Sequence, residues 1–152
     1  MRLWIDTKRG IQVKATIKQQ ADDIKKEISS QMLSRGVRAV NCIRNAELNV
    51  LKGQRTGRKY RKPYTKKSTY VASAPGEAPA RRTGNLRLHW SGEVDSKTNV
   101  NGTVHMTARL KSEERYSSFL ENGTPKMAPR PFVDQIVEKA VPEIEKIFGE
   151  PY

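Results

Sequence analysis

From Thr16 onward the apolar residues recur at three- and four-residue steps, as Ile17, Ala21, Ile24, Ile28, Met32, Val40, Ile43 and Leu51, while the runs QQADD and KKE fill the other face. That period places the apolar side chains on one side of a helix, so it predicts a long amphipathic helix over 17–51, loosened at Gly36 and ended by Gly53. Such a helix reaches roughly 50 Å at 1.5 Å per residue. It is too long for the core that 152 residues can build, so part of it is expected to pack on a neighbouring subunit or to project beyond the domain. Upstream, RLWID and IQVKA are short, alternating or β-rich pieces separated by TKRG, which reads as an amino-terminal hairpin or two edge strands.

Beyond Gly84 the period changes to two. Leu86, Leu88 and Trp90 alternate with Arg87, His89 and Ser91; later Val104, Met106, Ala108 and Leu110 alternate with Thr103, His105, Thr107 and Arg109. With DSKTNVNG supplying turn residues between them, these are two antiparallel strands with one buried face. SEERYSSFLENG then predicts a short helix burying Tyr116, Phe119 and Leu120 and stopped by Gly123. After the proline-stiffened TPKMAPRPF, Pro131 opens a last helix through Phe148, with Phe132, Val133, Ile136, Val137, Ala140, Ile144 and Ile147 inward and a kink at Pro142.

Between helix and strands, residues 53–82 have no apolar period and contain Pro63, Pro75 and Pro79. An unpatterned stretch of this length inside one domain is generally functional or ordered by a partner, so it is read as a flexible, extended arm. The expected architecture is a single α+β domain over 1–152: a small twisted antiparallel sheet packed by the long amino-terminal helix and the carboxy-terminal helix, with the arm between.

Charge sharpens the picture of the arm. The chain has a formal net charge of +13. The arm alone carries nine basic residues, Arg55, Arg58, Lys59, Arg61, Lys62, Lys66, Lys67, Arg81 and Arg82, against Glu77, and three of the five tyrosines, Tyr60, Tyr64 and Tyr70. Residues 112–152 reverse the sign, with five basic residues against eight acids. This asymmetry points to contact with a polyanion or to head-to-tail contact between copies. The twelve basic and aromatic arm residues are the candidates for touching a partner or DNA.

Catalytic chemistry finds little to rest on. The two histidines, His89 and His105, fall on the polar faces of the paired strands, and no Cys or carboxylate at ligand spacing completes a metal set. No Ser or Cys nucleophile has an evident base, and GQRTGRK lacks both the preceding strand and the Gly-Lys-Ser/Thr ending of a phosphate loop. Neither enzyme activity, metal nor cofactor is expected. Cys42, the lone cysteine, lies among Ala39, Val40 and Ile43 and is expected to be a buried, inert thiol. MRLWIDTKRG lacks the apolar run of a signal peptide and no window approaches a membrane span, so a reducing cytoplasm is the expected place of synthesis.

Two blocks carry a more specific signal. ASAPGEAPARRTGNLR, then a strand pair, then ERYSSFLENGTPKMAPRPF and a closing helix resembles the head-to-tail joining, or tail-completion, proteins of long-tailed bacteriophages. Ala74, Pro75, Gly76, Glu77, Pro79, Thr83, Gly84, Leu86 and Arg87 match the first block of that pattern. Tyr116, Glu121, Gly123, Thr124, Met127, Pro129, Arg130, Pro131 and Phe132 match the second. Ala78, usually proline, and the order Ala-Pro in MAPRPF depart from it, though both keep a stiff backbone. The resemblance implies a structural virion protein of the phage neck, a tail-completion or tail-terminator ring, most commonly of six copies, contacting neighbouring connector and tail-tube proteins, with packaged DNA as a further candidate contact. A basic nucleic-acid-binding protein, using the arm to grip phosphate and stack bases, is the alternative. Proline-fixed backbone in SAPGEAPA and MAPRPF suits docking, Gly84 and Gly123 are expected at positive φ, and Glu121 is expected to pair with Arg130.

Overall fold

The computed structural model describes residues 7–62, 64–99 and 103–151, with side chains from Thr16 onward except that of Thr98. The chain is α+β. Helix α1, Thr7–Lys52, is followed by strands β1, Lys59–Arg61, and β2, Thr69–Val71; a single-turn helix α2, Asn85–Leu88; strands β3, Trp90–Thr98, and β4, Val104–Ser112; and helices α3, Ser117–Asn122, and α4, Val133–Gly149. The strands form two separate antiparallel ribbons, β1 with β2 and β3 with β4.

Helix α1 begins ten residues before the expected 17, so TKRG and IQVKA are helical; RLWID lies outside the described residues. Ile11 and Val13 favour strands locally, but extending an existing helix by one residue is nearly free compared with nucleating a new element. Lys8, Arg9, Gln12, Lys14 and Ala15 are all good helix formers.

The helix also runs unbroken through Gly36, whose role is close approach. A Cβ there would stand 2.5 Å from Met106 Sδ and 2.7 Å from Val94 Cγ1, so the β3–β4 ribbon crosses α1 at this point. Gly92 of β3 is its counterpart, since a Cβ on it would collide with Val40. The two glycines let helix and ribbon backbones approach where side chains would hold them apart.

In the β ribbon, Val94 faces Ala108 and Gly92 faces Leu110. The inward alternation of Val104, Met106, Ala108 and Leu110 holds along all of β4. The first strand starts later than its pattern implied: Leu86 and Leu88 belong to α2, and residues 95–98 of the expected turn extend β3. Leu86 and Trp90 are four apart, a spacing that serves a helical turn as well as a strand. Here the turn prevails, as His89 N donates to Asn85 O at 2.9 Å and the Trp90 indole N–H donates to Leu86 O.

The core lies between the second half of α1, the β3–β4 ribbon and α4. Ala46, Val50 and Leu51 meet Ala78, Phe132, Ile136 and Ala140, with Leu86, Trp90, Leu120 and Ile144 packed around them. Trp90 meets Phe132 edge to face at a centroid distance of 6.3 Å. Expected inward residues Val133, Val137, Tyr116 and Phe119 are instead exposed. Helix α4 buries only the stripe Ile136, Ala140 and Ile147, because α1 covers one side of it. The helix continues on both sides of Pro142.

Candidate functional site

The two motif blocks fold against each other. Gly76 N donates to Pro129 O at 3.1 Å, joining the first block to the second. Gly76, Gly84 and Gly123 all take positive φ, at 80°, 104° and 77°. Gly123 ends α3 and opens a tight turn in which Thr124 N and Met127 O are 2.8 Å apart; a Cβ on it would come within 2.8 Å of Pro129 N and 2.9 Å of Met127 O. Glycine is therefore required there by both torsion and space.

Glu121 does not pair with Arg130. Its Oε2 accepts from the backbone N–H groups of Phe132, at 2.9 Å, and Val133, at 3.3 Å, and so caps the start of α4 from a neighbouring element. A carboxylate at a helix amino terminus satisfies orphan donors and meets the positive end of the dipole, which a surface ion pair would not do. Pro131 and the buried Phe132 then lead into α4.

Between the blocks lies a cleft of about 540 Å³. Pro79, Gly84 and Leu86 of the first block line it, with Leu120, Met127 and Arg130 from the second; Arg81, Arg82 and Arg87 bring its arginines to four, and Tyr70 and Tyr116 stand at its walls. No Asp or Glu is among its lining residues. The Nε atoms of Arg87 and Arg130 are out of water without an acceptor among the described residues. Glu47 is fully buried beside Arg44, and burial pushes its carboxyl up to about 7, with Arg44 and then Arg87 opposing the shift.

The basic arm is a hairpin on a fastened base. Tyr60 faces Tyr70 across β1 and β2, with ring centroids 6.0 Å apart, and the Arg58 guanidinium lies 5.7 Å from the Tyr60 centroid. Arg58, Lys59, Arg61, Lys66 and Lys67 are exposed, Lys62 is half-buried, and Tyr64 at the tip is fully exposed with φ 61°. The extended, unpatterned segment expected there is thus partly a β ribbon, since pairing hides backbone groups without needing an apolar period.

Arg55 points inward. Its guanidinium donates to Val50 O at 2.8 Å and to Pro79 O at 3.2 Å, and burial lowers its pKa. Glu77 accepts from Thr56 and from Ala74 N, and these hydrogen bonds, led by the Thr56 hydroxyl, hold its carboxyl below the usual range. Pro79 is buried with Ala78, whereas Pro75 is exposed. Of the twelve contact candidates, then, Arg55 is a structural clasp, Tyr70, Arg81 and Arg82 line the cleft, and the rest form the hairpin.

The histidines do not meet. His105 is opposite Lys97 in the ribbon, while His89 lies outside β3 and contacts Glu114 Oε1 through Nδ1 at 2.6 Å. Cys42 is half-buried, its thiol donating to Ala140 O at 3.7 Å and pushed up in pKa by burial and then by Glu143. Among the described residues no group of three or more His, Cys, Asp or Glu could hold a metal ion, and no helix is long and apolar enough to cross a membrane. Sequence reasoning missed Glu47; its signal was a carboxylate between Ala46 and Val50 on the core face, three residues after Arg44.

No protein-family model matches the chain, and neither a curated protein nor a solved structure matches it.

Proposed function

We propose that the chain is a structural subunit of the neck of a long-tailed bacteriophage, joining the DNA-filled capsid to the tail as a ring of copies in the assembled virion. The ring order of six and the placement between connector and tail tube follow from the motif resemblance. The observation that carries the reading is the convergence of the two motif blocks, joined at Gly76 and Pro129, on one arginine-lined cleft. A pattern spread over some sixty residues of sequence is thereby a single surface, which is what docking needs and a chance string of prolines would not supply.

The hairpin serves the same purpose: six like charges on a short ribbon with a fastened base form a shaped cationic probe for an acidic neighbouring ring. Replacing Arg58, Lys59, Arg61 and Lys62 by Ser should leave rings intact in sedimentation, while capsids and tails made with the variant fail to join in an in vitro mixing assay. Normal joining with DNA leaking from the particles would place the hairpin against the channel and overturn its docking role. Tight, salt-sensitive DNA binding by the isolated chain, lost in the same variant, would favour the nucleic-acid-binding alternative, for which the exposed Tyr60 and Tyr64 are the supporting feature.

A further inference from the structure

A buried guanidinium N–H without an acceptor is expensive, and two of them at one cleft call for an acceptor that the described residues do not provide. The Arg87 and Arg130 side chains make no hydrogen bond to any described residue, Arg87 having only the charge of the buried Glu47 near it, and Arg81 and Arg82 at the same cleft are exposed and also make none. Planar guanidinium forks match carboxylates and phosphates. The remaining wall decides between them, because Leu51, Leu86, Leu120 and Met127 offer apolar contact that a sugar-phosphate backbone cannot use. The volume, about 540 Å³, suits a few side chains and not a duplex.

Glu150, the acid nearest the carboxy terminus, is engaged elsewhere. It forms a bidentate pair with Arg38 at 2.6 Å, and Pro151 O accepts from Arg35 at 2.8 Å.

We propose that the cleft between the two motif blocks binds an extended acidic segment of a partner protein, whose carboxylates engage Arg81, Arg82, Arg87 and Arg130 while an apolar side chain seats against Leu86, Leu120 and Met127. This rests on the reading of the chain as a docking subunit and names the chemistry of what it docks. Pro79, with its φ fixed by the ring, sets part of one wall before binding, which limits the ordering cost.

The test uses the full chain and three fluorescein-labelled probes in anisotropy titrations: the hexapeptide Glu-Leu-Glu-Leu-Glu-Leu, the equally charged Glu-Ser-Glu-Ser-Glu-Ser, and oligothymidylate. The Glu-Leu peptide should bind at least several-fold more tightly than the Glu-Ser peptide. R130Q, and separately the exposed pair R81S with R82S, should each weaken it about tenfold, with circular dichroism unchanged for the exposed pair. The four-residue hairpin variant should leave this binding unaltered. Equal binding of the two peptides, no loss in the exposed pair, or displacement of the peptide by oligothymidylate would each overturn the proposal. If the parent chain forms no rings and does not support the joining of capsids and tails while the arginine-dependent peptide binding persists, the neck reading fails and the cleft assignment stands.

Discussion

Glu47 is the residue whose environment most contradicts its chemistry. A carboxyl fully out of water, with Arg44 as its partner, titrates near 7 because burial outweighs the attraction of Arg44 and Arg87. In the unfolded chain it would titrate at about 4.3. The folded state then holds a proton that the unfolded state has released, so this group's contribution to stability is complete below the unfolded value and is lost as pH rises towards 7. The slope is at most about 1.4 kcal/mol per pH unit. Thermal melts between pH 5 and 7 should show a falling Tm, and Glu47→Gln should flatten the curve; parallel curves would sink the assignment. Glu77 and Glu150, both depressed, act in the opposite sense and at lower pH, where protonation removes their hydrogen bonds to Thr56 and Arg38. At Gly123 the backbone sets the rule. Gly123→Ala adds a left-handed strain to a collision with two backbone atoms and should cost roughly 2–4 kcal/mol, whereas Gly76→Ala, equally left-handed but facing open space, should cost only ~1–2 kcal/mol. Urea titrations that return equal costs would show that the Gly123 turn relaxes freely.

At the scale of elements, the β1–β2 hairpin and its base have very different holds. Arg55, Thr56 and Glu77 tie the base to the end of α1 and to Pro79, while at the tip Lys66 and Lys67 are exposed and the turn around them is closed by the Thr65 hydroxyl on Lys62 O and Ser68 O and by Lys62 N donating to Ser68 O at 2.8 Å. Limited trypsin digestion should cut first between Lys62 and Lys67 and spare Arg55, the clasp. First cleavage at Arg55 would mean that the base opens before the tip. The elements also show what periodicity carries and what it leaves out. Leu110, Met106 and Ile136 fall where their spacing puts them, because one repeating side of a strand or helix had to be buried. The early start of β3 failed because Leu86 and Trp90 satisfy two periods at once. The hairpin was hidden because its strands are three residues long, too short for a period to show, so backbone pairing marks them. The cleft was half legible: its motif residues could be named from the sequence, but that the 70s and the 120s share a wall depends on the Gly76 to Pro129 contact, which no local pattern encodes. Glu121 was assigned the wrong partner for the same reason, since a cap from another helix is a long-range event.

The whole molecule leaves one part of itself unaccounted for. Every side chain from Thr16 to Ser30 is exposed, with Ile17 and Ile24 at 60%. Ile17, Ala21, Ile24 and Ile28 follow steps of four, three and four, the spacing of a coiled-coil seam over two heptads. Lys18, Lys25 and Lys26 balance Asp22, Asp23 and Glu27, so residues 16–30 carry no net charge to hold copies apart, although Lys8, Arg9 and Lys14 ahead of them in α1 are uncompensated there. Local pairs such as Gln31 with Glu27, at 2.9 Å, support the helix but do not cover its apolar stripe. Burying that stripe would gain about 25 cal/mol per Å² of apolar surface. In the proposed ring the second copy supplies the cover, so the seam should drive self-association while contributing nothing to the core, which begins near Arg35 and Gly36. Replacing Ile17, Ile24 and Ile28 together by Ser should convert an oligomer to a monomer in sedimentation velocity and leave the Tm of the α1–α4 core, followed by Trp90 fluorescence in dilute protein, within ~1 °C of the parent, as expected for solvent-facing substitutions. A parent chain that is monomeric at every concentration, or a triple variant that keeps its mass, would remove the exposed stripe of Ile17, Ile24 and Ile28 from the assembly and leave docking to the cleft and hairpin.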